Sequence, residues 1–330
     1  KLSKTSSLIN KPTKNKCNSI EDKQCPGNTA KKCRGDINML WSIGASISSD
    51  LFTPQISKEP IQTGQDITDI RGLFVADPFL FVMDNQWFVF TEIVNNDCQK
   101  GEIGYHISHD MGATWSYGQI VLAEDWHMSF PFVVEHQGKQ YMTTCATAGT
   151  QAPYGIWLYK TDSFPTKWKK HIKLVDGKIT GRAIDPVLKL HQGIWYLFFR
   201  DDGIDKERVF LSKSLFGPYE EHPLSKKYVI TQGGRIVTDD TGNMWAFHHT
   251  GSIVDRWQIN RLTPTEYEYG EKKRLLGPMS GIKWATSGMH TFNAVKLKNG
   301  QWASVFDGWW KDASYKTFRC LDSGKSSCQS

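Results

Sequence analysis

Two aspartates stand out by the strands they introduce. Asp77 opens "DPFLFVMDNQWFVF" and Asp185 opens "DPVLKLHQGIWYLFF". Each sets a carboxyl group directly ahead of an apolar strand pair. Two carboxyl groups held across a bond, one as acid and one ionised, are what glycoside hydrolysis requires. Asp-Pro ahead of a strand is also ordinary turn chemistry, and it is the recurrence in two equivalent segments that favours a site. Glu92, Asp201 and His127 are candidates for the acid, His127 also for a sugar hydrogen bond. Arg235, in "GGR", suits bidentate recognition of a carboxylate, sulfate or phosphate.

The elements that must position these groups are strands. Helical periodicity is nearly absent, and one outline recurs: an apolar strand, a turn bearing Asp, Asn or Gly, then a strand opening on Trp or Tyr. Its copies start at Asp77, Phe130, Asp185, Gly234 and Phe292. Starts spaced by roughly 50 to 58 residues signal a β-propeller with one blade per repeat. The expected architecture is all-β, a five-bladed propeller over 37–312, between a polar cysteine-containing arm (1–36) and a cysteine-containing tail (313–330). "GEIGYHISHD", "YGIWLYKTDS", "ERVFLSKS" and "RWQINRLTP" read as outer strands, and "WSIGASISS" near Trp41 as an outer strand that helps close the ring.

Antiparallel hairpins put the start of one strand and the end of the next on the same face. With the hairpins innermost, one mouth of the channel collects Asp77, Phe130, Asp185, Arg235 and Asn293 with Glu92, Cys145, Arg200, Asp201, His248, His249 and Asp307. Substrate contacts are therefore expected from Arg235, Cys145, Arg200, Asp201, His248, His249, His290 and Asn293. His248 and His249 are adjacent, so at most one faces the channel. No CxxC spacing is present, and neither a metal nor a cofactor is expected.

Composition narrows the class. The chain has 330 residues, 39% apolar, 22% charged, with 13 Trp and 17 Phe, ample for a core. A formal charge of +6 gathers mostly in the first 35 residues and around Lys167–Lys173. A basic arm without a nucleic-acid motif is a solvated arm, so no nucleic-acid partner is expected. No apolar run is long enough to span a bilayer. Cys17, Cys25, Cys33, Cys320 and Cys328 sit in polar ends that lack core periodicity, where disulfides would order them. With seven cysteines, six can pair, and Cys145, within a strand pattern, is the candidate free thiol. These features predict a monomer, secreted or in the lumen of the secretory pathway, with a carbohydrate or other small molecule as its partner. There is no Asn-x-Ser/Thr sequon, so N-glycosylation is not expected.

The runs "WSIGASISSDLFTP", "FVADPFLF", "KGEIGYHISHDMGATW", "IVLAEDWHMSFPFV", "LFGPYEEHPLS", "GGRIV" and "WATSGMHTFNAVKLKNGQWASVFDGWW" appear in order. Over about Trp41–Trp310 the chain resembles the N-terminal propeller of plant glucosamine inositolphosphorylceramide transferases and their stand-alone bacterial relatives. That propeller is similar to five-bladed arabinanase, levansucrase and invertase-type glycosidases. The resemblance implies Asp77 as base or nucleophile and Asp185 as the carboxylate that tunes the acid. It also implies departures, since three positions that are acidic in the family are Cys145, His249 and Asn293 here. The leading expectation is a propeller enzyme of glycoside-hydrolase type. The alternatives are a non-catalytic glycan-binding propeller, or a diverged enzyme using a Cys/His-lined pocket for redox or oxygen-dependent chemistry.

Overall fold

The computed structural model describes residues 39–312 apart from 84, 98, 148–154 and 181. The expected disulfides of the terminal arms lie outside the described residues. Among the described residues Cys145 is the sole cysteine, and it is free and buried.

Five antiparallel sheets follow one another along the chain, giving the expected five-bladed propeller. The inner hairpins are those read from the sequence. Blade one is β2 (Gly72–Met83), β3 (Gln86–Asn95), β4 (Lys100–Ser108) and β5 (Ser116–Leu122). Blade two is β6 (His127–His136), β7 (Lys139–Thr147), β8 (Gly155–Ser163) and β9 (Lys167–Asp176). Blade three is β10 (Ala183–His191), β11 (Ile194–Asp201), β12 (Lys206–Ser212) and the short β13 (Glu220–Glu221). In blade four the inner strand is split into β14 (Thr231–Gln232) and β15 (Val237–Thr238), followed by β16 (Met244–Thr250), β17 (Ile253–Leu262) and β18 (Tyr267–Leu276). Blade five pairs β19 (Phe292–Lys296) and β20 (Trp302–Lys311) with β1 (Met39–Ser48), so the first described strand closes the ring as expected. Among the described residues no helix is long and apolar enough to cross a membrane.

The inner strands of successive blades touch, β2 with β6, β6 with β10, β10 with β14 and β19 with β2, which makes them the wall of the axis. Aromatic side chains fill the wedges between blades. Phe79 of blade one meets Phe130 and Phe132 of blade two edge-on at 4.7 and 5.4 Å. Phe247 of blade four meets Phe292 of blade five at 4.8 Å. Such edge-to-face contacts are favourable beyond the area they bury.

The same irregularity interrupts the inner strand of three blades. Register slips by a residue between Ala76 and Phe79, Ser129 and Phe132, and Ile184 and Val187. At each slip an X-Pro pair bulges out, with Asp77, Phe130 and Asp185 at φ 52°, 52° and 54°. Proline has no N–H to give the ladder and is at home in a bulge. Left-handed backbone at a non-glycine residue is uncommon and collects where geometry serves a site. The bulge re-aims the residue before the proline toward the mouth. In blade four Gly233–Ile236 fills the same role, and a Cβ on Gly234 would fall 1.8 Å from the Phe292 carbonyl oxygen, so only glycine fits there.

Candidate active site at the axial mouth

Asp77 is the centre of the mouth and is only 6% exposed. Its Oδ2 accepts the Phe130 N–H at 3.2 Å and its Oδ1 the Thr291 hydroxyl at 2.9 Å. Its own N–H donates to Asp307 Oδ2 at 3.1 Å. Three blades thus lock one residue. Asp307, fully buried on β20, accepts the N–H groups of His290 and Thr291 at 3.0 and 2.9 Å. It also pairs with His290 Nδ1 at 2.6 Å, while His290 Nε2 faces Asp77 Oδ1 at 3.5 Å. His290 is therefore held between two carboxyl groups, and the Trp41 indole stacks on its ring at 4.1 Å.

Burial pushes the Asp77 carboxyl well above the usual carboxylate range, helped by Glu92, Asp185 and Asp307 and opposed by His290. For His290, burial works against the charge, but Asp307 first and then Asp77 and Asp185 reverse this and raise it to about 10. The Asp307 carboxyl suffers the same burial, and its contacts with His290 nevertheless hold it below its ordinary value. The result is an imidazolium–carboxylate pair beneath a carboxyl group of high proton affinity.

Asp185, from the equivalent bulge of blade three, faces His249 Nε2 at 3.5 Å. His249 in turn lies 5.3 Å from His290, ring centre to ring centre, which links the two bulge aspartates through two histidines. Glu92 Oε1 meets His127 Nε2 at 3.0 Å, and His127 Nδ1 accepts the Gly101 N–H at 2.9 Å, so the proton of a neutral His127 sits on Nε2. A Cβ on Gly101 would come within 2.9 Å of Glu92 Oε1, so the bare backbone is what lets this pair meet.

Other expected contacts fall elsewhere. Asp201 is buried and its Oδ2 is held by Arg208 Nη1 at 3.0 Å. Arg200 turns aside to Thr231 and Asp205, at 2.6 and 2.5 Å. His248 points away from the channel, opposite to its neighbour His249, toward Tyr269 and Glu207. Asn293 is fully buried with both amide atoms unpartnered. Arg235 reaches past the mouth and donates to the carbonyls of Leu80 and Val133, three residues beyond Asp77 and Phe130 along their strands. Its reading as a strand-start residue at the rim is therefore corrected: the glycine-rich break sends it down the channel. The Cys145 thiol lies near the Ala183 carbonyl at 3.8 Å, and burial followed by Asp185 pushes it well up, which disfavours a thiolate.

Sequence reading left out Thr291 and Trp41, and it named Asp307 as a strand end without giving it a role. Asp307 sits opposite Ile43 in the closing strand pair, at the level of Asp77. That level was the available signal. Ligand atoms of Asp77, His290 and Asp307 lie within 4.8 Å of one another, a spacing that suits a cation. The His290 imidazolium already compensates the Asp307 carboxylate, so an incoming ion would have to displace that proton.

Comparison with known proteins now decides the lineage. Residues 56–309 match the family described as "Glucosamine inositolphosphorylceramide transferase 1, N-terminal". The chain belongs to this family. Glucosamine inositolphosphorylceramide transferase 1 of Oryza sativa subsp. japonica is 30% identical over 259 residues, which cover 71% of this chain and 33% of the rice protein. The protein of the same name from Arabidopsis thaliana is 28% identical over 319 residues, 84% of this chain and 40% of that protein. The chain thus spans about a third of the rice relative's length and two fifths of the other's. Among solved structures, an exo-1,5-alpha-L-arabinanase from a bovine ruminal metagenomic library aligns with a TM-score of 0.55 at 17% identity, covering 76% of this chain and 92% of that one. CoXyl43, a beta-xylosidase/alpha-arabinofuranosidase from a compost metagenome, aligns with a TM-score of 0.52 at 14% identity, covering 82% and 98%. At these identities the likeness shows the shared propeller fold, and the family membership confirms the resemblance drawn from the sequence.

Proposed function

We propose that this propeller is an enzyme of glycoside-hydrolase type acting on a carbohydrate or carbohydrate-like ligand at the axial mouth. The observation that carries the reading is the pair of bulge aspartates, each turned to one mouth and each set against a histidine. Asp77 is assigned the role of base or nucleophile from its place in the first blade, and the Phe130 N–H and the Thr291 hydroxyl hold its carboxylate in position. Asp185, the other bulge aspartate, is assigned the acid: Asp201 is tied to Arg208, and Glu92 and His127 are tied to each other at 3.0 Å, closer than the 3.5 Å between Asp185 and His249. His249, 3.5 Å from Asp185, is placed to exchange its proton. Kinship with glucosamine inositolphosphorylceramide transferases supports only the ligand class.

The test is a panel of aryl glycosides and oligosaccharides with Asp77→Asn and Asp185→Asn. Each variant should lose about 10²–10⁴-fold in turnover of unactivated substrates. A dinitrophenyl glycoside, whose leaving group needs no proton, should rescue Asp185→Asn and leave Asp77→Asn inactive. Full activity in both variants would sink the proposal.

A second reading, a glycan-binding propeller without turnover, is favoured by the low exposure of Asp77 and by the donors already on both its oxygens. It predicts saturable binding that neither substitution converts or abolishes. The secretory-pathway location is part of the proposal and rests on the six cysteines other than Cys145. Thiol titration of the denatured, unreduced protein should find one free thiol per chain, and seven would refute it.

A further inference from the structure

A cavity of about 350 Å³ opens on the same side of the propeller as the mouth, where β1 and the start of β2 meet the end of β20. Its walls include Trp41, Trp284 and Trp310, and its rim Lys58, Glu59 and Gln65. This volume falls in the range of small-ligand sites, which combine apolar walls with a few polar groups. Trp284 is fixed from behind, stacked on Phe306 with its indole N–H donated to the Ser57 carbonyl at 3.2 Å. Lys58, Glu59 and Gln65 are exposed, and among the described residues their side chains make no hydrogen bond or ion pair.

Trp41 belongs to both places. It lines this cavity, and its indole stacks on His290, whose Nε2 is 3.5 Å from Asp77. One aromatic ring and one imidazole thus separate the cavity from the centre of the mouth. A flat apolar wall with exposed polar side chains at its rim suits a sugar ring, which offers an apolar face and an edge of hydroxyls.

We propose that this cavity is a second sugar subsite, taking one residue of an oligosaccharide whose neighbouring residue occupies the axial mouth. The inference rests on the carbohydrate reading above and extends it to a ligand of at least two residues. The bond acted on then lies near Trp41, and a lone monosaccharide uses only the mouth.

The experiment measures binding of matched mono-, di- and trisaccharides (neutral, uronic-acid and amino-sugar series) to the Asp77→Asn protein, which removes turnover as a complication. At least one series should bind about tenfold or more tightly from the disaccharide on. Trp310→Ala should abolish that gain and leave monosaccharide affinity unchanged. Should Trp310→Ala fail to fold, the surface double variant Lys58→Ala/Gln65→Ala should reduce the same gain. A gain with length that survives both changes overturns the subsite, as does the absence of any gain in every series. The hydrolase reading fails separately, if the wild-type protein turns over none of the sugars that it binds; the subsite would then stand as a glycan-binding groove. Turnover of aryl monoglycosides without any gain from length would keep the hydrolase reading and remove the subsite.

Discussion

Two clusters in this propeller are built from the same materials and come out opposite. At the mouth, His290 sits between Asp307 and Asp77 and is raised to about 10. Between blades three and four, His248 lies 4.0 Å from Glu207 and is lowered to about 3 by burial, then by His249 and Lys272. Burial likewise raises Glu207 to about 7, although Tyr267, Tyr269 and Gln232 donate to it at 2.8, 2.8 and 2.6 Å. The mouth holds a charge-separated pair whose histidine is partly exposed; the inner cluster holds a closed hydrogen-bond network around a group that burial drives toward neutrality. What separates them is how close and how many the carboxyl groups are: His290 pairs with Asp307 at 2.6 Å with Asp77 and Asp185 behind it, whereas His248 stands 4.0 Å from Glu207 alone. A contact of that kind is therefore weak evidence of a site until its net charge and access are known.

The sharpest break in the comparison is catalytic. Asp77→Asn should cost about 10²–10⁴-fold in turnover, whereas Glu207→Gln should leave turnover within about threefold of the wild type, read on any substrate found by the panel. Equal losses would erase the distinction.

Stability comes next. His290→Gln leaves the fully buried Asp307 without its cation and should destabilise the fold by roughly 3–5 kcal/mol near neutral pH, measured by urea unfolding. The pH windows should differ. A histidine raised from 6.5 to about 10 stabilises fully below pH 6.5, and that contribution is lost as pH rises toward 10. A carboxyl raised from 4.5 to about 7 stabilises fully below pH 4.5, and that contribution is lost by about pH 7. The stability gap between wild type and His290→Gln should therefore shrink at alkaline pH, whereas the wild type should lose stability relative to Glu207→Gln between pH 4.5 and 7. Coincident windows would mean that the two clusters titrate as one.

The smallest effect has the opposite sign. Because Asp77 is raised by burial, its ionisation works against folding at neutral pH, so Asp77→Asn should raise the melting temperature by about 2–4 °C per kcal/mol relieved. A fall instead would show that the hydrogen bonds to Phe130 and Thr291 outweigh burial.

The fold was legible because each inner hairpin repeats a turn and an aromatic at a fixed offset, which survives without any long-range information. The outermost strands were not: β13 has only two residues, and β9 reads "KWKKHIKLVD", polar and solvated on most of its length. For the site, Asp77 and Asp185 were legible from the paired Asp-Pro outline. The partners of Asp77 were not, because Thr291 and Asp307 lie 214 and 230 residues away in the chain. Nor does alternation say which of His248 and His249 faces inward; packing of Trp257 and Tyr269 around His248 decides that. Arg235 was misplaced because a glycine pair, unlike an Asp-Pro bulge, leaves the direction of the next side chain open.

The closing strand also governs when the mouth can work. Trp41 comes from β1, while His290 and Asp307 come from the far end of the described chain. Four assembled blades would already contain Asp77, Asp185 and His249, yet the electrostatic setting of Asp77 would be missing until the ends met. The mouth thus acts as a seal on its own assembly: under the proposed function, only a finished circle would be chemically competent. A nick or deletion within Met39–Ser48 should silence the centre while leaving Asp185 and His249 in register. The first and last described strands, far apart in the chain, are here the hinge pin and the latch.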